Sequence, residues 1–191
     1  MKKFLMFLSV CLFSITAYAQ EDHLTFKGIP IDGKLTAFVN KLQDKGFKVN
    51  LSTSDFAQME GVFSGKTCEI YIQASLISNT TYQVCVLLEE SDSWFHIRTT
   101  YNEYKKLLTS KYGAGNSIED FMNPYYEGDG YEMTAIRNEK CRFVTMYELP
   151  NGQIALGIAP IKDGSVVLIY SDKMNYELAE QEKVNQQKSD L

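Results

Sequence analysis

The chain has 191 residues, 45% of them hydrophobic and 23% charged, with 24 acidic against 19 basic side chains and a formal net charge of −5. That length and mix fit one domain, or two small fused halves, around a sizeable core, and they exclude a disordered or collagen-like chain. An acidic chain without a basic block also excludes nucleic acid and anionic membrane surfaces as partners.

The first residues read as an export signal. Lys2 and Lys3 precede an apolar run from Phe4 to Ile15, and Ala17-Tyr18-Ala19 places small residues where a signal peptidase reads them. Cleavage after Ala19 is expected, giving a periplasmic or extracellular bacterial protein. The apolar run is too short to span a membrane. Cys11 follows Val10, where a lipoprotein signal would need a small residue. Residues 1–19 are therefore read as a signal peptide, 20–171 as one globular domain, and 172–191 as a polar C-terminal helix or tail. Beyond residue 19 there are 17 basic and 24 acidic side chains, a net charge of −7.

Leu24-Thr25-Phe26 suggests a short edge strand, and Gly28 to Gly33 a turn with Asp32 as a helix N-cap. Leu35, Phe38, Val39 and Leu42 recur at helical spacing, and Gly46 ends that helix. Strands are expected over 47–51, over 59–63 with an interruption at Gly61, and over 67–74. In the last of these Cys68, Ile70 and Ile72 share one face, and Glu69, Tyr71 and Gln73 the other. Residues 82–88 are apolar at nearly every position and should lie centrally. Glu89 and Glu90 lead into the clearest helix, 91–113. There Trp94, Ile97, Tyr101, Tyr104 and Leu108 form one stripe, Ser91 or Ser93 can cap the start, and Gly113 can close the end. The region 114–130 is the least regular. Ser117 and Asp120 mark a single helical turn, Asn123-Pro124 breaks it, and 125–131 follows as an exposed loop. Four strands are expected over 131–137, 141–149, 153–159 and 166–170, the later ones joined at Asn151-Gly152 and Asp163-Gly164. A mostly polar helix closes the chain over 172–187.

The fold class is α+β, with antiparallel sheet backed by two amphipathic helices. Helix, strands, helix, strands is also the order of a tandem α-β-β-β(-β) duplication, with halves 28–90 and 91–171. Lys66-Thr67-Cys68-Glu69-Ile70-Tyr71 loosely parallels Glu139-Lys140-Cys141-Arg142-Phe143-Val144, although helix and cysteine offsets differ. The arrangement resembles the tandem repeat of β-lactamase-inhibitor-like proteins, in which helices back a curved antiparallel sheet. The helix carrying Trp94, Tyr101, Leu108 and Lys111-Tyr112-Gly113 is similar to one in small exported proteins of gut-type Gram-negative bacteria. The resemblance lies in element order and packing, and implies neither a catalytic residue nor inhibition of a lactamase.

Chemistry-bearing patterns are sparse. Cys68, Cys85 and Cys141 permit at most one internal disulfide, and a tight hairpin would set Cys85 opposite residue 70 or 72, a register that does not suit a bridge to Cys68. Buried free thiols are the plainer reading. His23 and His96 lie apart from any nucleophile motif. The carboxylate groups Glu89/Glu90/Asp92, Glu119/Asp120 and Glu127/Asp129/Glu132 read first as helix-dipole partners or solvated surface. Residues 127–132 lack the spacing of a calcium loop, so no metal and no cofactor is expected.

The remaining candidate is Tyr125-Tyr126-Glu127-Gly128-Asp129-Gly130-Tyr131. Tyrosine offers broad contact area at low entropic cost and glycine lets a loop adapt, so Tyr125, Tyr126, Glu127, Asp129 and Tyr131 are the expected binding residues. The expected function is a non-enzymatic binding or inhibitor-like module of the bacterial envelope, with a protein or glycan partner. The alternatives are a carboxylate-based hydrolase acting on envelope glycans through Glu127 and Asp129, and a structural part of an envelope assembly.

Overall fold

A computed structural model describes residues 23–88 and 90–189. The expected signal peptide and its cleavage point lie outside the described residues. Among those residues, no helix is long and apolar enough to cross a membrane.

The chain is α+β. Among the described residues, ten strands and four helices follow in the order β1 (Thr25–Phe26), β2 (Ile29–Pro30), α1 (Leu35–Gln43), β3 (Lys48–Ser52), β4 (Phe56–Phe63), β5 (Lys66–Ala74), β6 (Thr81–Leu88), α2 (Trp94–Tyr112), β7 (Asn116–Phe121), α3 (Glu132–Arg137), β8 (Cys141–Leu149), β9 (Gly152–Ala159), β10 (Ser165–Asp172) and α4 (Lys173–Ser189). One antiparallel sheet of eight strands runs β3-β4-β5-β6-β10-β9-β8-β7. The first half contributes α1 and then β3 to β6, the second α2, β7, α3 and then β8 to β10, and the last strands of the two, β6 and β10, pair at the centre with Leu168 opposite Val86 and Tyr170 opposite Val84.

The helices cover one face of this sheet. On α1, Leu35, Phe38, Val39 and Leu42 are buried; on α2, Ile97, Tyr101, Tyr104 and Leu108. These meet the sheet side chains that alternate inward, including Met59, Ile70, Val84, Val86, Leu156 and Leu168, all fully buried. Polar contacts fix α2. The buried Tyr101 hydroxyl lies 2.6 Å from Thr145 Oγ1, and the Tyr104 hydroxyl donates to the Phe63 carbonyl at 3.0 Å. Trp94 packs edge-on to Phe121 and Phe143 at 5.2 and 5.1 Å. Beneath α2, the Glu119 carboxylate of β7 accepts from Arg98 at 3.0 Å and from Lys105.

The structure departs from several expectations. Leu24–Phe26 is no edge of the main sheet: β1 pairs only with β2, and Phe26 is fully buried against Phe63 and Tyr170. Asp32 does not cap α1, which begins after Lys34 without a side-chain cap; the Asp32 carboxylate instead accepts from the Asn175 amide at 3.0 Å. At α2, Ser93 holds the cap position without a side-chain cap bond, while Ser91 Oγ accepts the Ser93 N–H at 3.1 Å. Gly113, at φ 85°, does close the helix. The expected helical turn at 117–120 is strand β7, paired along β8 from Asn116 opposite Met146 to Phe121 opposite Cys141. The expected strand 131–137 is mostly helix α3. Its buried residues Glu132, Ala135 and Ile136 stand at i, i+3 and i+4, a helical period hidden behind an apparent alternation.

The three described cysteines are free. Cys85 stands opposite Tyr71 and Cys68 opposite Leu88, so the two thiols point to opposite faces of the sheet.

Candidate functional site

The loop after β7 is ordered by its own carboxylates. Asp129 accepts the Tyr126 N–H at 3.0 Å with one oxygen and the Tyr131 N–H at 2.7 Å with the other. Glu132 accepts the Gly128 N–H at 2.7 Å. The Tyr125 hydroxyl accepts from the Asn138 amide at 2.9 Å, and Glu127 faces the Arg98 guanidinium at 3.5 Å. Of the expected binding residues, Asp129 therefore shapes the loop, Glu127 moors it to α2, and Tyr125 is half-buried. Tyr126 and Tyr131 remain 66% and 63% exposed, and Phe95, one turn before Arg98 on α2, is 73% exposed. The loop offers aromatic area, while its two acids are already engaged.

The histidines are separate from it. His96 is exposed on a cleft of about 290 Å³ with Lys66, Ser91 and Thr100, and among the described residues no hydrogen bond joins it to a serine or cysteine. His23 Nδ1 lies 3.1 Å from the fully buried carboxylate of Asp172. Among the described residues, no group of three His, Cys, Asp or Glu side chains could hold a metal ion.

A second surface follows from strand register. In a strand, alternate side chains face opposite sides. One complete row on the face away from α1 and α2 reads Asn116, Met146, Ala155, Ile169, Cys85, Tyr71, Gln58, Leu51 across all eight strands. The next reads Ile118, Val144, Gly157, Val167, Leu87, Glu69, Glu60, Lys48. The middle of both rows is apolar. Met146, Ala155, Val167, Ile169, Cys85 and Tyr71 are only half-buried, and Val144 and Ile118 are 38% and 57% exposed. Strands β6, β9 and β10 are thus apolar towards both sides, as strands covered on both faces are, yet α1 and α2 cover only one. The helix α4 keeps to the strand ends, where Tyr176 and Glu177 border a cleft with Glu148 and Gln153.

One corner of this face is acidic. The Glu69 carboxylate accepts from the Tyr71 hydroxyl at 2.7 Å and the Gln58 amide at 3.0 Å, and Lys162 reaches it at 3.4 Å. The Tyr71 hydroxyl, with help from Gln58 and Lys162, holds the Glu69 carboxyl below the usual range against the cost of desolvation. Burial and the same carboxylate push the Tyr71 phenol up to about 12. Glu60, Glu69, Glu90 and Lys162 surround a recess of about 490 Å³ floored by Leu87 and Leu88.

Sequence reasoning passed over this face. Its signal was present in the strands apolar on both sides, but only the register shows which residues align, and only the tertiary structure shows that, among the described residues, α1 and α2 cover a single side. Comparison of the chain with protein-family models, curated proteins and solved structures finds no match. Among the described residues, the fold and this surface define an α+β protein whose one large antiparallel sheet is backed by α1 and α2 on one side, with α4 at the strand ends.

Proposed function

We propose that the protein is an exported, non-enzymatic binding module of the bacterial envelope, which engages a partner protein across the open face of its sheet in an inhibitor-like manner. The observation that carries this reading is the pair of aligned apolar rows through the central strands, in which Met146, Ala155, Val167, Ile169, Cys85 and Tyr71 stay half-buried while Gly157 and Leu87 are buried. A contiguous apolar patch bordered by polar residues is what interaction surfaces leave exposed. The likeness of element order to β-lactamase-inhibitor-like repeats supports a binding role and names no target. The 125–131 loop is a separate candidate contact, through Tyr126 and Tyr131.

The test uses residues 20–191 as bait in the producing cell's envelope fraction, alongside a Val144→Gln/Met146→Gln face variant and a Tyr126→Ala/Tyr131→Ala loop variant. A partner retained by the native chain and the loop variant, and lost with the face variant, is the expected result. Loss with the loop variant alone moves the site to the loop. Equal recovery by all three overturns both assignments.

A further inference from the structure

We infer that the partner of the open sheet face is a protein surface whose apolar centre is flanked by arginine or lysine, one cationic side chain entering the recess between Glu60, Glu69 and Glu90. This rests on the open face being the contact surface, as proposed above.

Size and charge choose the occupant. Eight strands spaced about 4.8 Å apart make the face roughly 38 Å wide. Two side-chain rows add a depth of about 15 Å, so it offers roughly 600 Å² per partner, the low end for a specific protein pair. A second copy of the chain would fit that area but not its charge. The chain is acidic as a whole, so self-pairing brings like net charge together. The corner itself is preset for a cation. Glu69 is ionised and oriented before any partner arrives, by Tyr71 and Gln58. Lys162 is shared between Glu69 at 3.4 Å and Glu90 at 3.8 Å, and Lys48 stands opposite Glu60 on the neighbouring strand, so three carboxylates share two ammonium groups. Beside them Leu87 and Val167 continue the apolar row. An arginine or lysine can lay its methylene stem along that row and its head between the acids.

The experiment measures binding of two short amidated peptides to residues 20–191 by fluorescence anisotropy. One alternates valine with arginine; the other replaces arginine with citrulline, which keeps the shape without the charge. The arginine peptide is expected to bind about tenfold tighter, the preference weakening with salt. A Glu60→Gln/Glu69→Gln/Glu90→Gln variant should remove that preference, whereas Glu177→Gln/Glu180→Gln on α4, the control for overall charge, should leave it. Equal binding of both peptides, lost in the Val144→Gln/Met146→Gln variant, overturns the basic partner while keeping the face as a binding surface. Binding untouched by the face variant, or absent altogether, overturns the face as well. Sedimentation of the protein alone is expected to show monomer. A dimer abolished by the face variant would make a second copy the occupant and overturn the inference.

Discussion

Asp172 ties together three parts of the chain that are far apart in sequence. Its fully buried carboxylate accepts from Leu24 N at 2.7 Å and Asn175 N at 3.0 Å, with His23 Nδ1 at 3.1 Å. Asn175 in turn donates to the Ile31 carbonyl at 2.9 Å. A buried donor left unsatisfied costs about 1–3 kcal/mol, so Asp172→Ala should lower unfolding stability by at least that much in urea titrations, with His23→Ala costing less. Glu119 sets an acid limit. Burial disfavours its charge, but hydrogen bonds from Lys105 and Arg98 outweigh this and hold its carboxyl below the ordinary value of 4.5. Because the folded value is the lower one, its stabilisation is complete above about pH 4.5 and is lost as pH falls through the folded value. Glu119→Gln should therefore flatten the acid limb of a stability-against-pH curve and lower stability at neutral pH.

Among the elements, legibility followed how much of each was decided locally. α1 and α2 were readable because their apolar stripes are regular, and the later hairpins because Asn-Gly and Asp-Gly turns punctuate them. β7 was not readable. Asn116, Ile118 and Asp120 carry no strand pattern of their own, and β8 imposes the pairing on them. The exposed Tyr126 and Tyr131 were legible as a candidate site, whereas the roles of Asp129 and Glu132 inside that loop needed coordinates. Gly152, at φ 158° where β9 starts, is a further local requirement: a Cβ there would press on the Ser171 carbonyl oxygen. Gly152→Ala should cost about 1–3 kcal/mol, read as a lowered melting temperature. α4 is the least embedded helix, with Asn175 as its buried residue and Glu182 holding the Ile77 and Ser78 N–H groups at 3.0 and 3.2 Å. Removing residues after 183 should leave the melting temperature within about a degree or two, while removing everything after 175 should lower it measurably.

For the molecule as a whole, the β6–β10 seam makes the two halves one continuous ladder. Separating them would bare two apolar central strands as edges. Leu168→Ala, at a fully buried seam position, should cost about 2–5 kcal/mol. Trp94 is the only tryptophan and belongs to the second half. Its fluorescence and the far-ultraviolet circular dichroism of both halves are expected to report one shared unfolding midpoint. Two separated midpoints would show that the halves fold independently.

Cys85 stands in the middle of the open face, between Ile169 and Tyr71, as a free thiol that burial pushes up to about 11. The surface thus carries its own slow chemical clock. At neutral pH very little of that sulfur is thiolate, the form that reacts with iodoacetamide, so native alkylation should be far slower than in the unfolded chain. Whatever seats itself on the sheet should slow it further, while a ligand held at the distant tyrosine loop should leave the rate as it was. Mass-spectrometric timing of that single modification then reports where a partner sits before its identity is known.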